Sequence, residues 1–402
     1  MRKRRVGIGT WIFLGVMLLV AAFFLLGPML AERSMNRIAE TELPAISEEA
    51  RTLHASLTIV DLHSDTLLWD RSLLVRSDRG HMDVPRLIDG NVALQVFSSV
   101  TRSPRGQNYD SNSSDAADNI TPLVVAQLQP TEAWSSLLER SLYQAVKLEQ
   151  AAGQSQGVLR EIETAGELGA LLAARRRAQS NEMLQPMGAI LSIEGLHNLE
   201  GDIANLDRLY EAGYRMASPT HFFDNAIAGS MHGEEKGGLT DLGREVIRAM
   251  EAKGMIVDIA HCSHTCVAEI LAMARRPVVS SHGGVQATCN VNRNLTDEEI
   301  RGVAATGGVI GIGYWEGAIC STDPVDIAKA MKHVRDTVGI AHVALGSDYD
   351  GATEVGFDTS QLVQVTQALM NAGFSESEIR AVMGGNALRV LQAGLQPGNS
   401  AP

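Results

Sequence analysis

The chain has 402 residues, 45% hydrophobic and 20% charged, with a formal net charge of −13. That size suits one large globular domain or two ordinary ones, with ample material for a core. The acidic balance argues against nucleic acid as a partner, because a phosphate backbone requires a basic surface.

The chain opens on a basic tip, Arg2, Lys3, Arg4 and Arg5, and then carries no charge from Val6 to Ala31. Such a run can cross a bilayer core of about 30 Å. It exceeds the apolar stretch of a cleaved signal peptide, roughly 7–15 residues. Residues 1–31 are therefore expected to be a single-pass anchor in a bacterial-type inner membrane, with the tip in the cytoplasm. Everything after Glu32 then faces the periplasm or the exterior. Residues 32–50 are mixed and charged and read as a juxtamembrane linker.

From Leu57 onward, short apolar runs alternate with longer helical ones, the pattern of repeated βα units. Eight strands are expected: Leu57–Leu62, Val92–Phe97, Met187–Ile193, Arg215–Pro219, Met255–Ala260, Pro277–Ser281, Gly308–Gly313 and His342–Gly346. Helices are expected at Leu239–Lys253 and Asp297–Ala305. Eight such units point to a closed (β/α)8 TIM-type barrel, with a doubly wound open sheet as the alternative. No G-x-G-x-x-G follows the first strand, which disfavours a dinucleotide-binding unit. Thr101–Gln129 is rich in Ser, Asn and Asp and precedes a helix expected over Thr131–Gln150; together they form an insertion between strands two and three, over the barrel mouth. The barrel should end near residue 391, leaving 392–402 as a flexible tail.

Polar residues close these strands repeatedly. In a barrel of this type the C-terminal strand ends converge on the face that carries the active site. Strand one leads into His63 and Asp65, which stand two apart and can aim at a common point. Strand three ends at Glu194, strand four leads to His221, strand five to His261, strand six to His282 and strand eight to Asp348. Taken singly, a histidine beside an apolar strand is more often a hydrogen-bonded structural residue than a ligand, Glu194 before glycine could begin a turn, and Asp348 could cap a helix. Their recurrence is what points to metal, and the donors exceed the four that one tetrahedral zinc accepts. Two ions bridged by a carboxylate would absorb the surplus and ionise a shared water near neutral pH.

These residues resemble the membrane (renal) dipeptidases, zinc peptidases of the metal-dependent hydrolase superfamily. The likeness runs from about Ile59 to Leu391. It rests on Asp61-Leu62-His63-Ser64-Asp65, His81-Met82-Asp83-Val84-Pro85-Arg86-Leu87, Ile193-Glu194-Gly195, Asp258-Ile259-Ala260-His261, Ser281-His282, Arg293-Asn294-Leu295 and Gly346-Ser347-Asp348-Tyr349-Asp350-Gly351. The resemblance implies that His63 and Asp65 hold one Zn2+, that His261 and His282 hold a second, and that Glu194 bridges them. It implies that His221 contacts substrate and steadies the tetrahedral intermediate, that Arg293 grips the substrate carboxylate, and that Asp348 is the acid/base. Arg offers a planar fork suited to that grip, although read alone Arg293 is more readily a solvated surface charge ahead of the helix at Asp297. Tyr314, at the end of strand seven, is a candidate pocket residue, with core packing as the alternative.

Two features depart from the family. The vertebrate relatives are anchored by a C-terminal lipid, whereas this chain has no apolar C-terminal tail. His221 is followed by Phe222-Phe223-Asp224-Asn225, unlike the animal pattern, so side-chain preference is open. Cys289 and Cys320 lie in neighbouring loops after strands six and seven and are expected to be bridged, whereas Cys262 and Cys266, four apart at a helix start, are poorly placed for it.

The expected activity is hydrolysis of dipeptides with a free C-terminal carboxylate, by a protein held to the bilayer through its N-terminal segment; a homodimer is compatible with the sequence. The alternatives are another hydrolase on the same barrel, such as a lactonase or deaminase, and a non-enzymatic barrel that binds a partner.

Overall fold

A computed structural model describes residues 7–181 and 183–396. The basic tip and the tail from residue 397 lie outside the described residues.

Eight parallel strands form the barrel: Ile59–Asp61, Val92–Val100, Met187–Glu194, Tyr214–Ser218, Ile256–Val257, Val279–Ser280, Val309–Ile312 and Val343–Leu345. Each pairs with the next, the last pairs with the first through Leu345 opposite Asp61, and a single bridge from Asp258 to Val279 joins strands five and six. The eight expected strands thus occur in the expected order, and the ring closes rather than opening into a sheet.

Alternation along the strands explains the two layers of core. Val60, Leu94, Ile190, Met216, Ile256, Val279, Val309 and Ala344, one from each strand, meet in a cluster completed by Val390 and Leu391. Residues of the opposite parity, such as Ile59, Leu191, Ile310 and Leu345, pack with the outer helices through Val246, Ile247, Ile300 and Val303. The barrel is a filled core, so chemistry is confined to its mouth.

The outer helices begin at caps that the sequence spells out. Asp241–Lys253 starts where Thr240 Oγ1 accepts from Gly243 N and stops at Gly254, whose φ of 74° favours glycine. Asp297–Ala305 carries a capping box of Thr296 and Glu299. The helix expected from Thr131 starts later: Thr131–Trp134 forms a short 3-10 turn, and Ser136 caps the helix Leu137–Gln154 by accepting from Glu139 N. The insertion between strands two and three also contains the helices Ile120–Ala126 and Ala165–Ser180, and a short strand, Leu159–Glu161, beside the start of strand three. Its loop crosses the mouth, where Asn112 bridges to Gly233 in the loop after strand four.

The N-terminal apolar run is one helix, Ile8–Met35, exposed along most of its length. Residues 32–50, read from sequence as a linker, lie against the domain instead. Glu32 is buried between Arg71 and Arg79, Arg37–Ile38 pairs with Glu354–Val355, and the helix Glu48–Ala55 buries Ala50 and His54. At the other end, the helix Asn386–Gly394 and buried Leu395 extend the ordered chain past residue 391.

Candidate metal centre

Glu194 stands at the middle of the mouth because strand three carries it to the rim and Gly195, at φ 92°, turns the chain away behind it. A Cβ at position 195 would lie 2.5 Å from His197 Nδ1, so that turn has no room for a side chain. Around the Glu194 carboxylate four imidazoles converge. His261 Nε2 lies 2.7 Å from Oε1, His282 Nε2 3.1 Å and His63 Nε2 3.7 Å, while His221 Nε2 lies 3.3 Å from Oε2. On the far side of His63 sit Asp65 Oδ1 at 3.4 Å and Asp348 Oδ1 at 3.8 Å. Strands one, three, four, five, six and eight each send a member, and all seven side chains are buried.

Three groups of donors within this set could each hold an ion: His63, Glu194 and His282; Glu194, His221 and His261; and His63, Asp65 and Asp348. Glu194 and His63 are shared between groups, which suits neighbouring ions rather than one isolated ion. Both ring nitrogens of His63, Asp65 Oδ1 and His261 Nδ1 are buried without a hydrogen-bond partner. Burial drives the carboxyls of Glu194, Asp65 and Asp348 well above their ordinary range, and a neighbouring carboxylate pushes each further. Burial likewise forces the imidazoles of His221, His261 and His282 well below theirs. The cluster therefore cannot carry its negative charge unaided, and burial favours the neutral form of the His221, His261 and His282 imidazoles, the form that ligates a metal. Both properties fit divalent cations.

A second layer of side chains orients these donors, as metal-binding imidazoles and carboxylates require. Ser281 Oγ lies 2.8 Å from His282 Nδ1. Asp258 Oδ1 accepts from Ala260 N and Ser281 N, tying strand five to strand six between the two histidines. Asp61 Oδ1 accepts from Ser347 N at 2.9 Å, next to Asp348. His261 and Asp348 adopt left-handed backbone conformations, φ 65° and 59°, a strain typical of functional sites.

Arg293 is buried beside this cluster. One amino nitrogen donates to His282 O at 2.8 Å, its Nε is unpartnered, and its guanidinium carbon lies 5.8 Å from the Trp315 ring. Burial lowers its affinity for a proton, and Asp348 opposes that shift. The disulfide between Cys289 and Cys320, with Cα atoms 5.4 Å apart, joins the loop bearing Arg293 to the loop bearing Trp315. Cys262 and Cys266 are free and buried.

Tyr314 is not brought to this pocket. It is fully buried, its ring 5.7 Å from that of Tyr349 and 5.6 Å from that of Phe357, in the core outside the barrel. Its neighbour Trp315 turns the other way, its ring 6.0 Å from that of His282.

Two residues at the mouth escaped the sequence reading. Tyr109, in the insertion loop, accepts at its hydroxyl from Trp315 Nε1 at 2.9 Å and stands 5.9 Å from the Phe222 ring. His232 Nδ1 donates to Tyr109 O at 2.9 Å, leaving Nε2 as a buried, unpartnered acceptor, with the ring 5.3 Å from that of His261. No apolar strand precedes His232, so strand-end logic could not find it. The Asn-rich run Asn108–Asn112 was the available hint of an ordered loop.

The profile of the membrane dipeptidase family, peptidase family M19, matches residues 47–399. Dipeptidase aclJ of Aspergillus oryzae is 34% identical over 215 residues, 51% of this chain and 51% of that protein. Dipeptidase verJ of Clonostachys rogersoniana is 30% identical over 214 residues, 52% of this chain and 55% of that protein. The aligned region thus spans about half the length of these relatives. Among solved structures, a metallopeptidase from Rhodobacter sphaeroides, liganded with a phosphinate mimic of the dipeptide L-Ala-D-Ala, superposes with a TM-score of 0.67. It is 22% identical, and the match covers 84% of this chain and 99% of that one. A family M19 dipeptidase AC superposes with a TM-score of 0.65, also at 22% identity, over 84% of this chain and 99% of that one. Both show the same barrel, and the match across most of the sequence establishes that this chain belongs to the membrane dipeptidase family, peptidase family M19.

Proposed function

We propose that the protein is a membrane-anchored dipeptidase, dependent on two zinc ions, that cleaves the peptide bond of dipeptides with a free C-terminal carboxylate. The observation that carries this reading is the Glu194 carboxylate ringed by four imidazole Nε2 atoms, with a buried guanidinium close by. A dipeptide substrate is also in keeping with the dipeptide mimic bound by the Rhodobacter sphaeroides relative, a ligand whose second residue is of D configuration.

His63 and Asp65 would hold one ion, His261 and His282 the other, with Glu194 between them. When bound, such ions supply a water that ionises near neutral pH and a polarised substrate carbonyl. The protein's own groups do the rest. Arg293, keeping one hydrogen bond to His282 O and an unpartnered Nε, presents its remaining donors to the C-terminal carboxylate and so measures the substrate from that end. Asp348, 3.8 Å from His63 Nε2, accepts a proton from the attacking water and returns it to the departing amine. His221, on the Oε2 side of Glu194, contacts the substrate and steadies the tetrahedral intermediate. The insertion loop, pinned by Tyr109 and Asn112, walls the pocket against bulk water.

Metal analysis of the purified full-length chain, with rates for dipeptides and their C-terminal amides, tests the reading. The expected result is two equivalents of zinc and amides slower by roughly 10–100-fold, the weight of a charge-assisted hydrogen bond. Equal rates would remove Arg293 from the mechanism and favour another hydrolase on the same barrel.

A further inference from the structure

The helix Ile8–Met35 has 28 residues, about 42 Å at 1.5 Å per residue, against a bilayer core of about 30 Å. Several residues at its far end must therefore lie outside the hydrocarbon. Those are the residues that the catalytic domain holds. Pro28 and Glu32 are buried, and Ala31 packs with Leu123 against a cluster of Leu68, Trp69, Val100, Ile120, Val124 and Ala133. Glu32 accepts from Arg71 Nε at 2.5 Å and from Arg79 Nε at 2.6 Å, and Arg33 pairs with Asp78. Asn36 Oδ1 then accepts from Ala352 N at 2.9 Å, and Arg37–Ile38 adds a strand to Glu354–Val355. No free segment separates the membrane helix from the domain.

Every partner in that junction comes from the mouth of the barrel. Arg71, Asp78 and Arg79 lie in the loop after strand one, Ile120 and Val124 in the insertion after strand two, and Ala352 to Val355 in the loop after strand eight. The helix therefore leaves the domain on the face that carries the metal centre. Beside the junction, the insertion exposes Leu128 (69%) and Trp134 (38%), and the loop of Asp78 exposes Val75 (64%). Leu128 lies two residues beyond the helix Ile120–Ala126, and Trp134 Nε1 donates to Gln129 O at 2.9 Å. Single exposed apolar residues are ordinary, but Leu128 and Trp134 belong to the same insertion that packs against Ala31 of the long apolar helix. Trp suits the zone where hydrocarbon gives way to headgroups.

We infer that the active-site rim is a lipid-binding surface: Leu128, Trp134 and Val75 sit in the headgroup layer, and the mouth is held at the membrane with no flexible stalk. The inference rests on reading Ile8–Met35 as a spanning helix. Substrate would then arrive along the bilayer surface, and the partner is the bilayer itself.

Depth-dependent quenching tests it on full-length protein in phosphatidylethanolamine–phosphatidylglycerol vesicles. Single cysteines at Leu14→Cys, Leu128→Cys and Arg275→Cys would carry an environment-sensitive fluorophore; the native cysteines are buried or bridged. Arg275 is exposed just ahead of strand six, at the opposite end of the barrel. Expected are strong quenching at position 14 by spin labels deep in the acyl chain and quenching at 128 by labels near the headgroup. The signal at 128 should exceed that at 275 several-fold. Quenching at 14 with equal, weak signals at 128 and 275 would overturn the rim contact while leaving the anchor standing. No quenching at 14 would overturn the anchor reading, and the inference with it.

Discussion

The two ends of this molecule's architecture follow opposite rules. The outer wall is regular: Thr240, Thr296 and Ser375 cap their helices, two of them in full capping boxes. The mouth breaks those rules. His261, Asp348, Asp350 and Ala352 take left-handed backbone conformations without being glycine, and buried ring nitrogens and a carboxylate oxygen lack partners. The wall supplies the stability that lets the mouth keep charges poised for cations and substrate. Substitutions at the mouth should therefore abolish chemistry with little unfolding, and those in the wall or its supports should do the reverse.

The largest effect is expected for Glu194→Gln. Loss of the shared carboxylate should cut kcat/KM by at least about 10³-fold, more than the 10–100-fold typical of outer-shell changes. Zinc should fall below two equivalents while circular dichroism stays native; full metal content would refute the bridging role. Asp348→Asn should retain both ions and lose roughly 10²–10⁴-fold in kcat, the usual worth of positioned proton transfer. An unchanged rate would sink the acid/base assignment.

Glu32→Gln probes structural support rather than chemistry, since it removes the buried carboxylate that Arg71 and the half-buried Arg79 share beside the mouth. Arg71 keeps Asp350 and Arg79 keeps Asp78, so the cost should fall below the about 3–5 kcal/mol of a fully unpaired buried charge, and the melting temperature should drop by a few degrees with metal content unchanged. Arg293→Lys keeps the charge but loses the fork, and should raise KM for dipeptides roughly tenfold without altering the rate on C-terminal amides.

A separate effect is a pH dependence set away from the site. His54 is buried between Thr366 Oγ1 at 2.8 Å and Gly90 O at 3.2 Å, and burial lowers its pKa to about 4. The unfolded chain binds this proton near pH 6.5 and the folded chain only near 4, so stability is present above 6.5 and is lost as pH falls through that window. At pH 5 the loss is about 2 kcal/mol. His54→Gln should flatten that slope in denaturant titrations, and a slope equal to wild type would exclude His54 as its source.

The barrel was legible because closing six of the eight apolar runs with His, Asp or Glu is both a strand signal and a chemical one. Glu194, His261 and His282 could be placed at one rim before any coordinates. What stayed hidden depended on contacts between remote segments. Glu32 looks like a linker charge until Arg71 and Arg79 are brought beside it by the loop after strand one. His232 becomes informative only when Tyr109 takes its other nitrogen. Tyr314 and Trp315 are adjacent aromatics beyond the last residue of strand seven, and only the bend of the chain decides which one faces the pocket.

The bridge between Cys289 and Cys320 carries a practical consequence for anyone producing this protein. It ties together the loops that position the guanidinium and the indole, so their spacing depends on oxidation of these two thiols. Material accumulated in a reducing cytosol would keep its metal donors yet present the carboxylate end of the pocket on two independent loops. Oxidised and reduced preparations should differ in substrate affinity before they differ in turnover.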